Sequence, residues 1–198
     1  MKKRQVGNLL ALAVLSYLSR AAMHPYELSK TLRNHGDARS IKFNHGSLYM
    51  VVQQLAKAGF VAEQEVNRDG ARPERTVYQI TDAGREELRD WLRELVGEPQ
   101  HEYPAFVSAL SMVAALSPNE VVPLLRNRLK GLADLRAEAD RSIESSEADG
   151  VPALFLIEER YRISLLDAEI AFVQDLFAQV DDWGPMWAAA HGEEYRPE

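Results

Sequence analysis

The sequence predicts a mainly α-helical protein with one small β-hairpin. Short helices and the hairpin occupy the N-terminal part, and long helices make up the rest. Three observations predict this. Apolar residues recur at helical spacing through most segments. Between Phe60 and Ile80 the period changes to two around an Asp69-Gly70 turn signal. Residues that start and stop helices bracket each run. With 46% apolar and 27% charged residues among 198, the chain has the make-up of a folded globular protein.

The elements follow in order. Val6–Leu18 reads as a short buried helix behind a basic arm, Lys2, Lys3 and Arg4. The arm and apolar run resemble the start of a secretory leader. However, the run is too short to span a bilayer, and Arg20 spoils the cleavage site, so a cytoplasmic location is expected. A second helix opens at Pro25, with Tyr26, Leu28 and Leu32 on it, and ends at Gly36. After the polar stretch Asp37–Lys42, Asn44 caps a third helix. Its apolar positions are Leu48, Val51, Val52 and Leu55, and Gly59 stops it. Phe60–Asn67 and Arg75–Ile80 read as antiparallel strands joined by an exposed basic loop. Thr81 caps a fourth helix carrying Leu88, Trp91, Leu92 and Leu95, and Gly97–Pro104 is a linker.

Beyond the linker, Ala105–Leu116 reads as one apolar helix. Ser117-Pro118-Asn119-Glu120 is a complete helix start, with an N-cap serine, a first-turn proline and a glutamate three residues on. The helix it opens runs to about Ser146. The last helix, Ala153 to Val180, ends at Trp183-Gly184-Pro185 and leaves a short tail. That last helix has two apolar rows. One is Leu154, Ile157, Tyr161, Leu165, Ala168, Phe172 and Leu176; the other is Phe155, Ile163, Leu166, Ile170, Val173 and Phe177. A helix resting on its own domain needs one stripe. Two rows predict cover on two sides, the second supplied by another copy of the chain.

Charge is distributed unevenly. Residues 1–80 hold 12 Lys and Arg against 6 Asp and Glu, a net of +6, while residues 81–198 hold 11 against 24, a net of −13. The total of −7 therefore hides a basic segment on an acidic body. Cysteine is absent, which excludes disulfides, thiolate metal sites and cysteine nucleophiles. No two of the 11 glycines are closer than Gly184 and Gly192, so no phosphate-binding glycine loop exists. Gly46-Ser47-Leu48-Tyr49-Met50 lacks the second glycine of a nucleophile elbow. His101-Glu102 has no second histidine to make a zinc motif, and Glu98-Pro99-Gln100-His101 has no matching partner. An enzyme is not expected, nor is any cofactor or metal.

Helix, helix, turn, helix, hairpin is the plan of a winged helix-turn-helix. The third helix is then the one that enters a DNA major groove. Asn44, His45, Ser47, Tyr49, Gln53 and Gln54 are its polar face. Arg39 and Lys42 precede it, and Arg68, Arg72 and Arg75 sit on or beside the wing. Side chains of these types donate to phosphates and base edges, and arginine suits a narrow minor groove.

These residues carry a resemblance. Leu9–Leu18, Pro25-Tyr26-Glu27-Leu28, Gly46-Ser47-Leu48-Tyr49, Leu55-Ala56-Lys57-Ala58-Gly59-Phe60-Val61, Arg72-Pro73, Val77-Tyr78-Gln79-Ile80-Thr81-Asp82-Ala83-Gly84 and Trp91-Leu92 together resemble the PadR family of transcriptional regulators. The resemblance covers residues 7–95 and extends in layout to the C-terminal helices. It implies a homodimeric repressor that leaves its double-stranded operator when an effector binds. It also implies that Tyr49 is the recognition-helix tyrosine, and that Arg72 and Arg75 form the wing. The chain departs from the family at Met50, where many members have proline, at Ala56-Lys57, and at Glu74, which interrupts the basic wing.

The expected organisation is a DNA-binding domain over 1–96, a linker over 97–104 and a helical dimerisation and effector-sensing domain over 105–198. Expected partners are operator DNA, a second copy and a small-molecule effector, with no membrane. Trp91, Phe106, Met112, Phe155 and Tyr161 are the residues apolar or aromatic enough to line an effector pocket. Packing in the core competes with that role for each. The alternative is a winged-helix protein-interaction module without DNA binding. The basic first 80 residues argue against it.

Overall fold

The computed structural model describes residues 3–36, 39–64 and 76–191. The chain divides into two compact units, Met1–Glu102 and Tyr103–Glu198.

In the first unit, α1 spans Leu9–Leu18, α2 Pro25–Asn34 and α3 His45–Lys57. The strands β1 (Val61–Gln64) and β2 (Val77–Ile80) follow, then α4 (Asp82–Gly97). The first helix starts at Leu9 rather than Val6. Asn8 is the better cap, its Oδ1 accepting the Ala11 N–H at 2.9 Å. Val6 is buried all the same, as lead-in chain. Helices α2 and α3 both end on glycines in the left-handed region, Gly36 (φ 80°) and Gly59 (φ 78°), which side chains disfavour.

The core gathers Leu10, Val14, Leu15 and Leu18 of α1, Leu28 and Leu32 of α2, and Leu48, Val52 and Leu55 of α3. Val61, Ile80 and Trp91 complete it. The strands pair antiparallel with Val61 opposite Ile80 and Gln64 opposite Val77. Met23 adds a further bridge to Tyr78. The two residues exchange both backbone hydrogen bonds at 3.0 Å, which fixes the chain just before α2. The strand ends and hairpin tip expected at 65–75 lie outside the described residues.

Two contacts lock α4 in place. Thr81 caps it by accepting the Gly84 N–H at 3.1 Å, and its hydroxyl donates to the Gly59 carbonyl at 2.7 Å. Gly84 then passes so close to the hairpin base that a Cβ there would lie 2.0 Å from the Phe60 carbonyl oxygen. Further along, the side chain of Arg4 in the N-terminal arm is 2% exposed. It donates to Glu87 at 2.7 Å, Asp90 at 3.1 Å and Glu94 at 2.5 Å. Its guanidinium also lies over the Trp91 ring, 5.1 Å from the centroid.

In the second unit, α5 spans Ala105–Leu110, α6 Pro118–Ala148, α7 Ile157–Gln179 and α8 Gly184–His191. The expected single helix Ala105–Leu116 is broken. After Leu110 the chain passes into a short 3-10 turn, Val113–Ala115. No residue of α5 is buried, so no apolar face selects a continuous helix. Glu120 opens α6 as read from sequence, accepting both the Ser117 N–H at 3.0 Å and its hydroxyl at 2.7 Å. The Ser117 hydroxyl and then its backbone N–H hold that carboxyl below the ordinary range. A 3-10 turn, Ala153–Leu156, precedes α7.

Another difference is the tail, where α8 replaces the expected stop. Proline suits a first helical turn, and Trp187 anchors the helix in the core, its ring stacked 5.8 Å from that of Trp183. Helices α6 and α7 run antiparallel, tied by Arg128–Glu169, Arg136–Asp167 and Glu147–Arg160. Val121, Leu125, Leu132 and Val173 pack between them, with Leu166, Ile170 and Phe177 partly buried against that core. The other row of α7 is exposed at Ile157, Tyr161, Leu165 and Phe172. Among the described residues no helix is long and apolar enough to cross a membrane.

Two substitutions test the fixing of α4. Gly84→Ala is expected to cost about 3 kcal/mol, because backbone must move to admit one methyl. Arg4→Ala is expected to cost about 2 kcal/mol. It removes the guanidinium that three carboxylates share, an effect reduced by the half-exposure of Asp90. Denaturant unfolding followed by far-UV circular dichroism measures both.

Candidate nucleic-acid interface

The amphipathic sequence of α3 determines what it shows to solvent. Leu48, Val52 and Leu55 are fully buried and Val51 nearly so. The opposite face carries exposed His45, half-buried Tyr49 and exposed Gln53, one turn apart. Met50 and Gln54 are also exposed. Lys42 and Arg39 lie exposed on the connection that leads into α3.

Asn44 and Ser47 have a more local task than sequence suggests. Asn44 Oδ1 accepts the Ser47 N–H at 2.8 Å, and Ser47 Oγ accepts the Asn44 N–H at 2.9 Å. The Ser47 hydroxyl also donates to the Asn44 carbonyl. This reciprocal cap fixes where α3 begins and engages Asn44 Oδ1 and the Ser47 hydroxyl, leaving the amide nitrogen of Asn44.

A ring cluster surrounds Tyr49. The His45 ring lies 5.0 Å from it and the His24 ring 6.3 Å, edge-on. Tyr26 stands 6.0 Å from His45 and is 58% exposed. Sequence reasoning assigned no role at the interface to His24 or Tyr26. A signal was present: Tyr26 lies two residues before buried Leu28, about 200° around the helix, so it cannot share that face. Gln54 turns elsewhere, lining a groove of about 620 Å³ with Gln5, Asn8 and Lys57. The wing arginines Arg68, Arg72 and Arg75 lie outside the described residues.

The five residues considered for an effector pocket are dispersed. Trp91 is fully buried in the core of the first unit and presents no surface to a ligand. Phe106 is partly buried in the second unit, with the Arg128 guanidinium 3.4 Å from its ring centroid. Met112, Phe155 and Tyr161, also in the second unit, are exposed.

Residues 14–90 match the model of the Transcriptional regulator PadR-like family. The Negative transcriptional regulator PadR of Bacillus subtilis is 25% identical over 145 residues, covering 71% of this chain and 78% of that protein. The fold resembles Bacillus subtilis PadR in complex with operator DNA, with a TM-score of 0.70 at 19% identity over 87% of this chain and 99% of that one. It resembles the same protein in complex with p-coumaric acid with a TM-score of 0.70 at 18% identity, over 91% and 99%. The Vibrio cholerae virulence activator AphA is similar at a TM-score of 0.63 and 18% identity, over 87% and 98%. The family match runs over the helix-turn-helix, the hairpin strands and most of α4, and over residues 14–90 the chain is similar to the PadR-like family of transcriptional regulators.

Proposed function

We propose that the chain acts as a homodimeric repressor that binds a pseudo-palindromic operator and is released by a small-molecule effector. The observation that carries this reading is the row of exposed His45, half-buried Tyr49 and exposed Gln53 on a helix whose other face is buried. Such a helix has the width of a major groove and the side chains to donate into it. Arg39 and Lys42 supply phosphate contacts beside it, Asn44 and Ser47 set its start, and Arg68, Arg72 and Arg75 follow the backbone from the wing. The net charge of +6 over residues 1–80 supports attraction to DNA there and nowhere else.

The dimer reading rests on the exposed row of α7. Ile157 is 58%, Tyr161 65%, Leu165 53% and Phe172 49% exposed, with Leu154 just ahead of the helix at 68%. Apolar side chains at this spacing on a long helix suit a second copy meeting the same row, an isologous contact. Two recognition helices would then meet half-sites about 34 Å apart. Repression and effector release are supported by relatives: one is named a negative regulator, and its structure was determined with p-coumaric acid.

DNA binding is tested on the duplex upstream of the chain's own gene by fluorescence anisotropy. Affinity is expected to fall at least tenfold between about 50 and 200 mM salt. Tyr49→Ala should erase most of the preference for that duplex over a scrambled one. Lys42→Ala should weaken both and lower the salt slope by about one. A flat salt response overturns the reading.

The dimer is tested by light scattering, where the wild type should have about twice the 22.3 kDa of one chain. Leu165→Asp should give the monomer mass and lose most operator affinity. A monomeric wild type overturns it.

A further inference from the structure

The geometry points to His24 as a second DNA contact of this chain. We infer that it is a neutral imidazole that donates its Nε2–H to a phosphate while bracing Tyr49 at the duplex. This rests on the DNA-binding reading above and deepens it.

The tautomer follows from one hydrogen bond. The Tyr26 backbone N–H donates to His24 Nδ1 at 3.0 Å, so Nδ1 carries no proton and the ring hydrogen is on Nε2. No described residue accepts that hydrogen, and the ring is only half-buried. His24 therefore has one ring donor with no acceptor among the described residues, and in this hydrogen-bonding state that donor is uncharged. Protonation at Nδ1 would set two N–H groups against each other and break the contact that orients the ring.

The position is fixed from both sides. Met23 is bonded to Tyr78 in both directions, and Pro25 is buried with its φ limited by its ring. The Glu27 carboxylate is folded back onto the His24 N–H at 3.3 Å, so the acid of this turn is turned toward its own backbone. A donor held this way loses little freedom on binding.

The neighbours show which surface this donor serves. His24, Tyr49, His45 and Tyr26 form a continuous series of rings, each 5.0 to 6.3 Å from the next. Two of the four lie on α3. Tyr26 is more than half exposed, and the core uses none of its ring. The series therefore extends the face of α3 across to the chain entering α2, and His24 stands where the Tyr49 ring needs lateral support. A contact from this side runs to the DNA backbone flanking the groove, which calls for a donor and not for a base reader.

A neutral donor has a signature distinct from that of lysine or arginine: it adds affinity without releasing a counterion. The test is His24→Asn. Asparagine is itself a strong N-cap and keeps α2 intact, while the ring is lost and the amide N–H groups that remain fall short of the Nε2 position. Anisotropy titrations use the full chain and two duplexes, the upstream DNA and a scrambled sequence, each over a salt series. His24→Asn is expected to bind both duplexes about 3- to 10-fold more weakly, with an unchanged salt slope and an unchanged melting temperature.

Wild-type affinity in His24→Asn overturns the inference. A salt slope lowered by about one shows a cationic contact and overturns the neutral form. A loss confined to the upstream duplex shows base reading and overturns the phosphate assignment. A lowered melting temperature with the affinity loss assigns His24 to the fold alone. If the wild type binds neither duplex, the DNA reading itself fails and this inference with it.

Discussion

The burial of one face of α3 governs the rest of the first unit. Leu48, Val52 and Leu55 have no exposed surface, so the helix cannot rotate about its axis without bringing apolar area into water. At about 1.5–3 kcal/mol for each side chain, that constraint is larger than any single contact at the surface. It fixes which way His45, Tyr49 and Gln53 point. The core of α1 and α2 exists to receive that face, and the bridge from Met23 to Tyr78 ties the same layer to the hairpin. The reading surface is thus set from behind, by packing.

Much of this was legible in sequence because helix starts are local chemistry. Asn44, Thr81 and the Ser117–Glu120 pair each bond within three residues, so short-range signals suffice to find them. The apolar face of α3 was legible for the same reason, since its period is strict. The failures fall where local signals are weak or ambiguous. Ala105–Leu116 is apolar but for Ser108 and Ser111 and offers no polar face to follow. Pro185 reads equally as a stop or as a first-turn residue, and tertiary burial of Trp187 decides between them.

The candidate site was legible in outline and less so in its parts. Spacing alone puts Tyr49 and Gln53 on one face and marks Asn44 as the cap of α3, but it cannot show what reaches that face from another element. Nor can it show that His24, twenty-five residues before Tyr49, stands edge-on to its ring. That contact joins partners that sequence order does not pair. The same holds for Trp91. Its aromatic ring suits an effector pocket by type alone, yet that ring is enclosed and covered by Arg4.

The fixing of α4 has a mechanical consequence. This helix is held at its first turn by Gly84 against Phe60, along its middle by Trp91 in the core, and further on by the salt bridge from Arg4 to Glu94. Its 16 residues extend for about 24 Å. A helix pinned at three places shifts as one piece or breaks a contact. Moving α4 therefore means carrying with it the Phe60–Thr81 corner, where both strands of the hairpin are rooted.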